Sequence, residues 1–403
     1  MHVVVVGNGI AGVTAARHVR KADPDARITM VSGETREPFA RTALMYIYMG
    51  VLTRAHTRLY DERFWDESRI DRVLGTARAL DTARQRLALD AGDLGYDRLL
   101  VATGSTSVLP DWPGVDLDGV QGLYHLSDLD RLEASSAGAS RAVVVGGGLI
   151  GVELAEMLAT RGVAVTFLVR EPRYLAPALS EAESALVAAA IRSHGVDLRL
   201  GTEVAHIEGE TRAEAVVTTD GERMGADVVG VGIGVRPNVD WLDGALATDR
   251  GVLVDDALRA SAENVWAAGD CAQLRTPPAG VRAVEPIWYT ARLQGATAGL
   301  GMAGRPRPYA PPVFFNSAKF FDLEWQLYGD LAGPAHEWER SDGARSVRLR
   351  HRDGAVVGVS GLGVRLRQAV CSRWIGERWP LERAVADLPT ARFDAEFTPA
   401  LAG

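Results

Sequence analysis

Residues 2–12 read HVVVVGNGIAG, and the fold follows from how these eleven residues are read. Four consecutive valines, Val3, Val4, Val5 and Val6, have the β-branched, unalternating pattern of a strand covered on both faces, as in a parallel sheet. Gly7-Asn8-Gly9-Ile10-Ala11-Gly12 follows at once and fits G-x-G-x-x-G, and residues 14–21 contain no helix breaker. In such a strand–turn–helix, Gly7 permits the tight turn and Gly9 lets a phosphate approach the backbone. Gly12 lets helix and strand pack closely, and a pyrophosphate is met by the unpaired amides at the helix's positive end. A second strand is expected over 28–31. Glu34 lies just beyond it, where a dinucleotide's ribose needs an acidic anchor.

The same pattern restarts near residue 142. A valine-rich strand over 142–145 runs into Gly146-Gly147-Gly148-Leu149-Ile150-Gly151, a helix is expected over 152–161, and a second strand over 163–169. Each copy continues through a hairpin (73–80 with 86–89; 204–207 with 215–218). A buried strand ending in glycine closes each copy, over 96–102 into Thr103-Gly104 and over 228–233 into Gly234. One glycine fingerprint is weak; two in matched order imply two dinucleotides, one held by each copy. Pro110, Pro113 and Gly114 mark a linker. Short strands are expected at 252–254 and 265–267, the latter running into Gly269-Asp270. A proline-rich boundary at 305–312 precedes a tail that reads as a small α+β domain.

Bulk properties set limits on function. The chain has 403 residues, enough for two or three domains, and a net charge of −8, which speaks against a general nucleic-acid footprint. No apolar run is long enough to span a bilayer, and no signal peptide precedes the first strand. Cys271 and Cys371 form no C-x-x-C, so no local dithiol centre is present and no metal site is expected; a cytoplasmic protein is expected. Lys21 and Lys319 are the only lysines in an arginine-rich chain.

The motifs VVVVGNGIAG, LLVATG, VVVGGGLIGVELAE, VGIGVRPN and VWAAGDCA, in this order, resemble the pyridine nucleotide-disulfide oxidoreductase superfamily. The nearest likeness is to its ferredoxin, rubredoxin and coenzyme A-disulfide reductase branch. The resemblance spans roughly residues 1–330 and implies an α/β protein with two Rossmann-like domains, for FAD and NAD(P), plus a small C-terminal α+β domain. The expected boundaries are 1–114 and 245–310 for FAD, 115–244 for NAD(P), and 311–403 for the tail.

By resemblance, Gly7, Gly9, Ile10, Ala11, Gly12 and Glu34 hold the FAD pyrophosphate and adenosine ribose, with Arg41 and Thr42 beside them and Ala77 offering a backbone contact to adenine. Ala102, Thr103, Gly104, Gly269 and Asp270 complete that site, Asp270 on the ribityl chain. Ile287 and Trp288 open a helix whose amides face the flavin. Gly146, Gly148, Leu149, Ile150, Gly151, Gly232 and Gly234 take the nicotinamide dinucleotide. Val169 stands where an NAD-preferring relative carries an acid and Arg170 and Arg173 follow, which favours NADPH over NADH. Glu153 is expected to be catalytic, since an acid at that place in the family lies near nicotinamide and flavin.

The chain also departs from its relatives. The single-cysteine branch carries its redox thiol at the position of Thr42, and a hydroxyl cannot perform thiol–disulfide exchange. The lysine of the ferredoxin-reductase branch is replaced by Tyr46, and Lys319 is the expected substitute, approaching the flavin and pairing with Glu153. In the tail, Arg345, Arg348, Arg350, Arg352, Arg365, Arg367, Arg373 and Arg378 face only Asp353 and Glu377 in that span. A basic stripe of this kind suits a small acidic redox protein of the ferredoxin or rubredoxin type.

The expected activity is therefore an FAD-dependent NAD(P)H oxidoreductase that passes electrons to such a carrier. The alternatives are direct reduction of a quinone, dioxygen or a biosynthetic substrate, and a redox-signalling role like that of apoptosis-inducing-factor relatives. No nucleic-acid or membrane partner is expected, and a homodimer is left open.

Overall fold

The computed structural model describes residues 1–278 and 280–393. The last ten residues assigned above to the tail lie outside them. The chain divides into two compact units. One comprises residues 1–107, 124–129 and 235–311; the other comprises 108–123, 130–234 and 312–403.

In the first unit the valine run forms the strand His2–Val6, fully covered on both sides. It sits at the centre of a parallel sheet in the order Val265–Ala267, Arg98–Val101, His2–Val6, Arg27–Ser32, Ile70–Leu74. Burying each valine removes its side chain from water for roughly 1.5–3 kcal/mol, which is why the run takes the middle position. The helix Ile10–Ala22 follows the glycine turn and lies against the helix Trp288–Met302. Their approach is close because Gly295 and Gly299, one turn apart, face Ala11 and Ala15. A Cβ on either would come within 2.3 or 2.6 Å of a backbone oxygen.

The second unit repeats this frame strand for strand. Its parallel sheet runs Asp197–Leu200, Ala164–Val169, Arg141–Val145, Val228–Val231, Val120–Gln121. The glycine turn again follows the central strand and opens the helix Leu149–Thr160. Each unit also carries a three-stranded antiparallel sheet, Ala77–Asp81 with Arg86–Leu89 and Gly92–Gly95, and Val204–Glu208 with Ala215–Thr218 and Arg223–Gly225. The fifth parallel strand is where the copies differ. It comes from residues 265–267 in the first and from residues 120–121 in the second, so the chain supplies it after one module and before the other.

One expected element is divided in the structure. The stretch 73–80 is not a single hairpin arm. Ile70–Leu74 ends the parallel sheet, the Gly75 amide bonds Ser32 O at 2.8 Å, and Ala77–Asp81 begins the antiparallel sheet. The tail's five-stranded antiparallel sheet runs Phe315–Phe320, Leu323–Gly329, Ala355–Leu362, Ser346–Arg352, His336–Ser341. Helices Gln368–Gly376 and Leu381–Ala386 cover it over a core of Tyr328, Leu349, Val359 and Trp374. Among the described residues no helix is long and apolar enough to cross a membrane.

Candidate functional site: two glycine turns and the charges beside them

The two turns are built alike. Gly7 has φ +109° and Gly146 φ +118°, a region that side-chain-bearing residues avoid. A Cβ on Gly7 would sit 2.0 Å from Ala102 O, and one on Gly146 would sit 2.4 Å from Gly232 O. Gly12 and Gly151 close each turn, where a Cβ would meet the oxygen of Gly7 at 2.0 Å or of Gly146 at 1.9 Å. The middle glycines differ from both. Nothing lies within 4 Å of a Cβ on Gly9, and only Gly232 O, at 3.8 Å, lies near one on Gly148. Each of these is the N-cap of its helix, followed by Ile10-Ala11 and Leu149-Ile150. Tight on two sides and open at the helix's positive end, each turn is a cradle that fits a pyrophosphate.

Around the first cradle the charges are closed into a network. The Arg41 guanidinium donates to Glu34 (2.6 Å for Nη2–Oε2) and to Tyr124 O (2.6 Å), and it packs over the rings of Phe39 and Tyr124. Glu34 also accepts from the Leu126 amide at 2.5 Å and faces His125 Nδ1 at 3.6 Å. Burial alone would raise its pKa, but the hydrogen bonds from His125, Arg41 and Leu126 and the Arg41 charge bring it down to about 2. Glu34, the expected ribose anchor, thus accepts from Arg41 and from the Leu126 amide. Its visible work is to brace Arg41.

Asp270 follows Gly269 (φ +84°), whose amide is held by Gln294 Oε1 at 2.8 Å. Its Oδ2 accepts from Tyr124 Oη at 2.9 Å and Ser105 Oγ at 3.1 Å. Burial pushes this carboxyl's pKa up against those bonds. Tyr124 and Ser105 carry no motif, and the sequence reading missed both. Thr103 Oγ1 bonds Asn238 O at 2.7 Å, and the Asn238 amide bonds Gly104 O at 2.9 Å, which pins the turn after Arg98–Val101. Thr42 is exposed in the 3-10 turn Arg41–Ala43, Ala77 begins its strand, and Ile287 is the N-cap of Trp288–Met302.

The second cradle has a different set of neighbours. Glu153 projects from the first turns of Leu149–Thr160, and burial together with the Glu156 charge raises its pKa to about 7 against the opposing field of Lys319. Tyr174 Oη donates to Gly148 O at 3.1 Å, tying the turn to the core. Lys319 was expected to pair with Glu153. Its ion pair is instead with Glu156, at 2.7 Å for Nζ–Oε1, one helical turn further along. Glu153 and Glu156 stand three apart on one helix face, a spacing visible in VELAEM that the sequence reading did not use. The helix comes from residues 149–160 and the lysine from the strand Phe315–Phe320, so the correct partner depended on how that strand registers.

Beyond Val169, Arg170 is exposed and bonds Glu171 at 2.9 Å. Arg173, the other arginine expected at the cofactor, bonds Leu179 O (3.4 Å) and Ser184 Oγ (3.3 Å). The basic stripe of the tail is also corrected. Arg348 and Arg350 are buried, Arg348 on Glu183 (2.9 Å) and Glu337 (2.8 Å), Arg350 on Glu337 (3.0 Å). Arg345 pairs with Asp342, Arg352 with Asp330, Arg365 with Glu324 and Arg373 with Asp387. The neutralising acids come from outside the span in which the stripe was counted. Both cysteines are buried, and burial raises their thiols to about 11 for Cys271 and about 12 for Cys371, far from a reactive thiolate.

Comparison with known proteins agrees with this architecture. Residues 1–295 match the model of the family described as pyridine nucleotide-disulphide oxidoreductase. The chain is 32% identical over 401 residues to the ferredoxin reductase component of chlorobenzene dioxygenase from Cupriavidus sp. (strain PS12), covering 98% of this chain and 97% of that one. It is 31% identical over 382 residues to the ferredoxin–NAD(+) reductase component of the biphenyl dioxygenase system from Paraburkholderia xenovorans (strain LB400), covering 93% of each. Among solved structures it resembles the covalent putidaredoxin reductase–putidaredoxin complex, with a TM-score of 0.85, 26% identity and 95% of both chains covered. With matched glycine cradles on duplicated parallel sheets and a family model covering most of its length, the chain belongs to the pyridine nucleotide-disulphide oxidoreductases.

Proposed function

We propose that this protein is an FAD-dependent NAD(P)H oxidoreductase that delivers electrons to a small redox carrier protein of the ferredoxin or rubredoxin type. The observation that carries the reading is the pair of cradles, each tight at its outer glycines and open at its helix N-terminus, in a chain with no thiol fit for redox work. Relatives named as ferredoxin reductases over nearly the whole chain support the acceptor class. When bound, FAD supplies the ability to accept a hydride from nicotinamide and release its electrons singly, which suits a one-electron carrier and needs no cysteine.

The chain's own residues supply placement. Gly7, Gly9 and Gly12 with the amides of Ile10 and Ala11 hold the FAD pyrophosphate, and Arg41, braced by Glu34, adds positive charge. Asp270, oriented by Tyr124 and Ser105, takes the ribityl hydroxyls, and the N-terminus at Ile287-Trp288 favours negative charge on the flavin. Gly146, Gly148 and Gly151, with Gly232 and Gly234 alongside, hold the nicotinamide dinucleotide, with Glu153 beside its reactive end. The domain lines we assign are 1–114 with 245–310 for FAD, 115–244 for NAD(P) and 311–403 for the tail, in a cytoplasmic enzyme. For cofactor preference we favour NADPH, read from Val169 and Arg170 in the absence of an acid at the strand end. The names of several relatives, with NAD(+) or NADH in them, support the other reading.

The test is anaerobic stopped-flow reduction by NADPH and by NADH, followed by reoxidation with a ferredoxin or a rubredoxin. Rapid bleaching with carrier-accelerated reoxidation is expected. Reoxidation by quinone or dioxygen alone moves the function to direct reduction, and no bleaching by either nucleotide removes the enzyme assignment.

A further inference from the structure

The second glycine turn lacks a tie that the first one has. Asn8, between Gly7 and Gly9, is buried, and its Nδ2 donates to Thr35 O at 2.7 Å, pinning the first turn to the chain just past the strand Arg27–Ser32. The second turn has Gly147 at that place. A Cβ there would come within 2.6 Å of Val169 Cγ1, on a buried and stiff β-branched side chain. Its tie comes instead from further along the chain. Tyr174 is fully buried, and its Oη donates to Gly148 O at 3.1 Å. That carbonyl also accepts from the Val152 amide at 3.3 Å. The corresponding Gly9 carbonyl accepts from the Val13 amide at 3.0 Å and, among the described residues, from no side chain. Several contacts hold the Tyr174 hydroxyl in place. Its ring meets Phe167 and Phe320 edge-on, with centroids 6.0 and 5.8 Å away. Ser184 Oγ donates to Tyr174 O at 2.8 Å, and Leu175 takes φ +48°, so the chain turns sharply straight after the tyrosine. Burial and the Glu153 charge both oppose ionisation of the phenol, so it stays a donor.

The consequence follows from peptide geometry. The Gly148 carbonyl and the Leu149 N–H belong to one planar trans unit and point in opposite directions. Holding the oxygen towards the buried tyrosine turns the Leu149 N–H to the open side of the turn, where a pyrophosphate fits. A donor on the oxygen also polarises the amide and strengthens the hydrogen bond its N–H can give to an anion. We propose that Tyr174 is a positioning residue of the nicotinamide site, its hydroxyl presetting the Gly148–Leu149 peptide so that the Leu149 amide meets the cofactor's pyrophosphate. The inference rests on the reading of the second cradle as the nicotinamide site. Arg170 and Tyr174 share one loop but read different parts of the ligand. Arg170 is assigned to the 2′-phosphate that NADPH alone carries, and Tyr174 acts on the pyrophosphate that NADPH and NADH have in common.

The variant that tests this is Tyr174→Phe in the FAD-loaded protein. It keeps the ring between Phe167 and Phe320, and Gly148 O keeps the Val152 amide, so no buried acceptor is stranded and the fold survives. Kinetics with NADPH and with NADH are measured alongside inhibition by ADP-ribose, which contains the pyrophosphate, and by 2′-AMP, which does not. KM is expected to rise about fivefold for both nucleotides with kcat within about twofold of native. The inhibition constant of ADP-ribose should rise by the same factor, that of 2′-AMP should not move, and the flavin should stay bound. A role in general stability of the loop would weaken 2′-AMP as much as ADP-ribose, and that result overturns the proposal. So does a fall in kcat at constant KM, which would place the hydroxyl's effect at the reactive end, and so do unchanged constants throughout. If neither nucleotide bleaches the flavin of the native protein, the functional reading itself fails; native bleaching with unchanged constants in Tyr174→Phe sinks only the positioning role.

Discussion

The two glycine turns share a backbone and differ in the charges around it. At the first, each of Glu34, Arg41 and Asp270 has protein partners, and Glu34 is held far below the usual carboxylate range. At the second, Glu153 is pushed to about 7 beside a carboxylate that a lysine already occupies. A closed network suits a site that keeps its dinucleotide, because the charged side chains around it already have protein partners. A carboxyl poised near neutrality suits a site whose ligand arrives in one charge state and leaves in another. Backbone geometry settles what kind of group is held, and the side chains settle whether it is kept or exchanged.

The largest effects should come from the glycines, and they separate the two sites. Gly12→Ala forces a Cβ to within 2.0 Å of Gly7 O, and Gly151→Ala to within 1.9 Å of Gly146 O, both backbone atoms that cannot yield cheaply. Each should destabilise its module by about 3 kcal/mol or more. Gly12→Ala is expected to purify colourless, and Gly151→Ala yellow but slow to bleach with either nucleotide. Gly9→Ala and Gly148→Ala place their Cβ in open space. Both should leave the apoprotein Tm within about 2 °C of native while weakening dinucleotide binding at least about tenfold. A colourless Gly151→Ala would merge the two sites into one and break the comparison.

The carboxylates should respond to pH with opposite signs. Glu34 has its pKa lowered, to about 2, so its contribution is present above the ordinary carboxylate range and is lost as pH falls from about 4.5 towards 2. Glu153 has its pKa raised, to about 7, so burying it costs least while it is protonated, and stability is lost as pH rises from about 4.5 to 7. Melting curves of the apoprotein at about pH 8 should therefore show Glu153→Gln several degrees above native and Glu34→Gln several degrees below. Shifts of the same sign would mean that the Glu153 site is not the strained one.

How much of this could be read from residues alone depends on the range of the interaction. The glycine turns were legible because a close backbone approach leaves a mark at a fixed spacing. The central strands were legible because burial on both faces leaves an unbroken apolar run. The division at Gly75 was not, since Val73 and Leu80 carry the same pattern although Ser32 and Asp90 draw their neighbours into different sheets. The tail misled for a related reason. Counting charges within 345–378 gave a basic stripe, while Glu183, Glu324, Asp330, Glu337, Asp342 and Asp387 arrive from elsewhere to neutralise it. Ion pairs between distant segments leave no local pattern. Tyr124 is the plainest case: a tyrosine in a connecting segment, with nothing beside it in sequence to show that its hydroxyl orients Asp270.

That hydroxyl gives an intermediate prediction within the first site. Tyr124→Phe keeps the ring over Arg41 but removes one of the two side-chain donors to Asp270 Oδ2, leaving Ser105. Losing a donor to a buried charged group costs about 1–3 kcal/mol, so FAD should dissociate about tenfold more readily. The Tyr124 carbonyl still accepts from Arg41, so the Glu34 brace survives. Fluorescence of released flavin on dilution measures this. An unchanged dissociation constant would mean that Ser105 alone holds the carboxylate.

The smallest effect belongs to the nucleotide preference at the second site, where two neighbouring arginines should behave differently. Arg170 is exposed just past the end of Ala164–Val169 and, among the described residues, is tethered only to its neighbour Glu171. A pairing of this kind between exposed groups is worth at most about 1 kcal/mol and is easily given up for a dianionic phosphate. Arg173 is committed to Leu179 O and Ser184 Oγ, so turning it outward would unfasten a loop. Arg170→Ala is therefore expected to lower kcat/KM for NADPH by about tenfold, mostly through KM, and to leave NADH within about twofold. Arg173→Ala should lower Tm by a few degrees with both nucleotides affected alike. If Arg170→Ala changes neither ratio, the loss of an acid at Val169 does not by itself select the phosphorylated ribose, and NADH becomes the physiological donor.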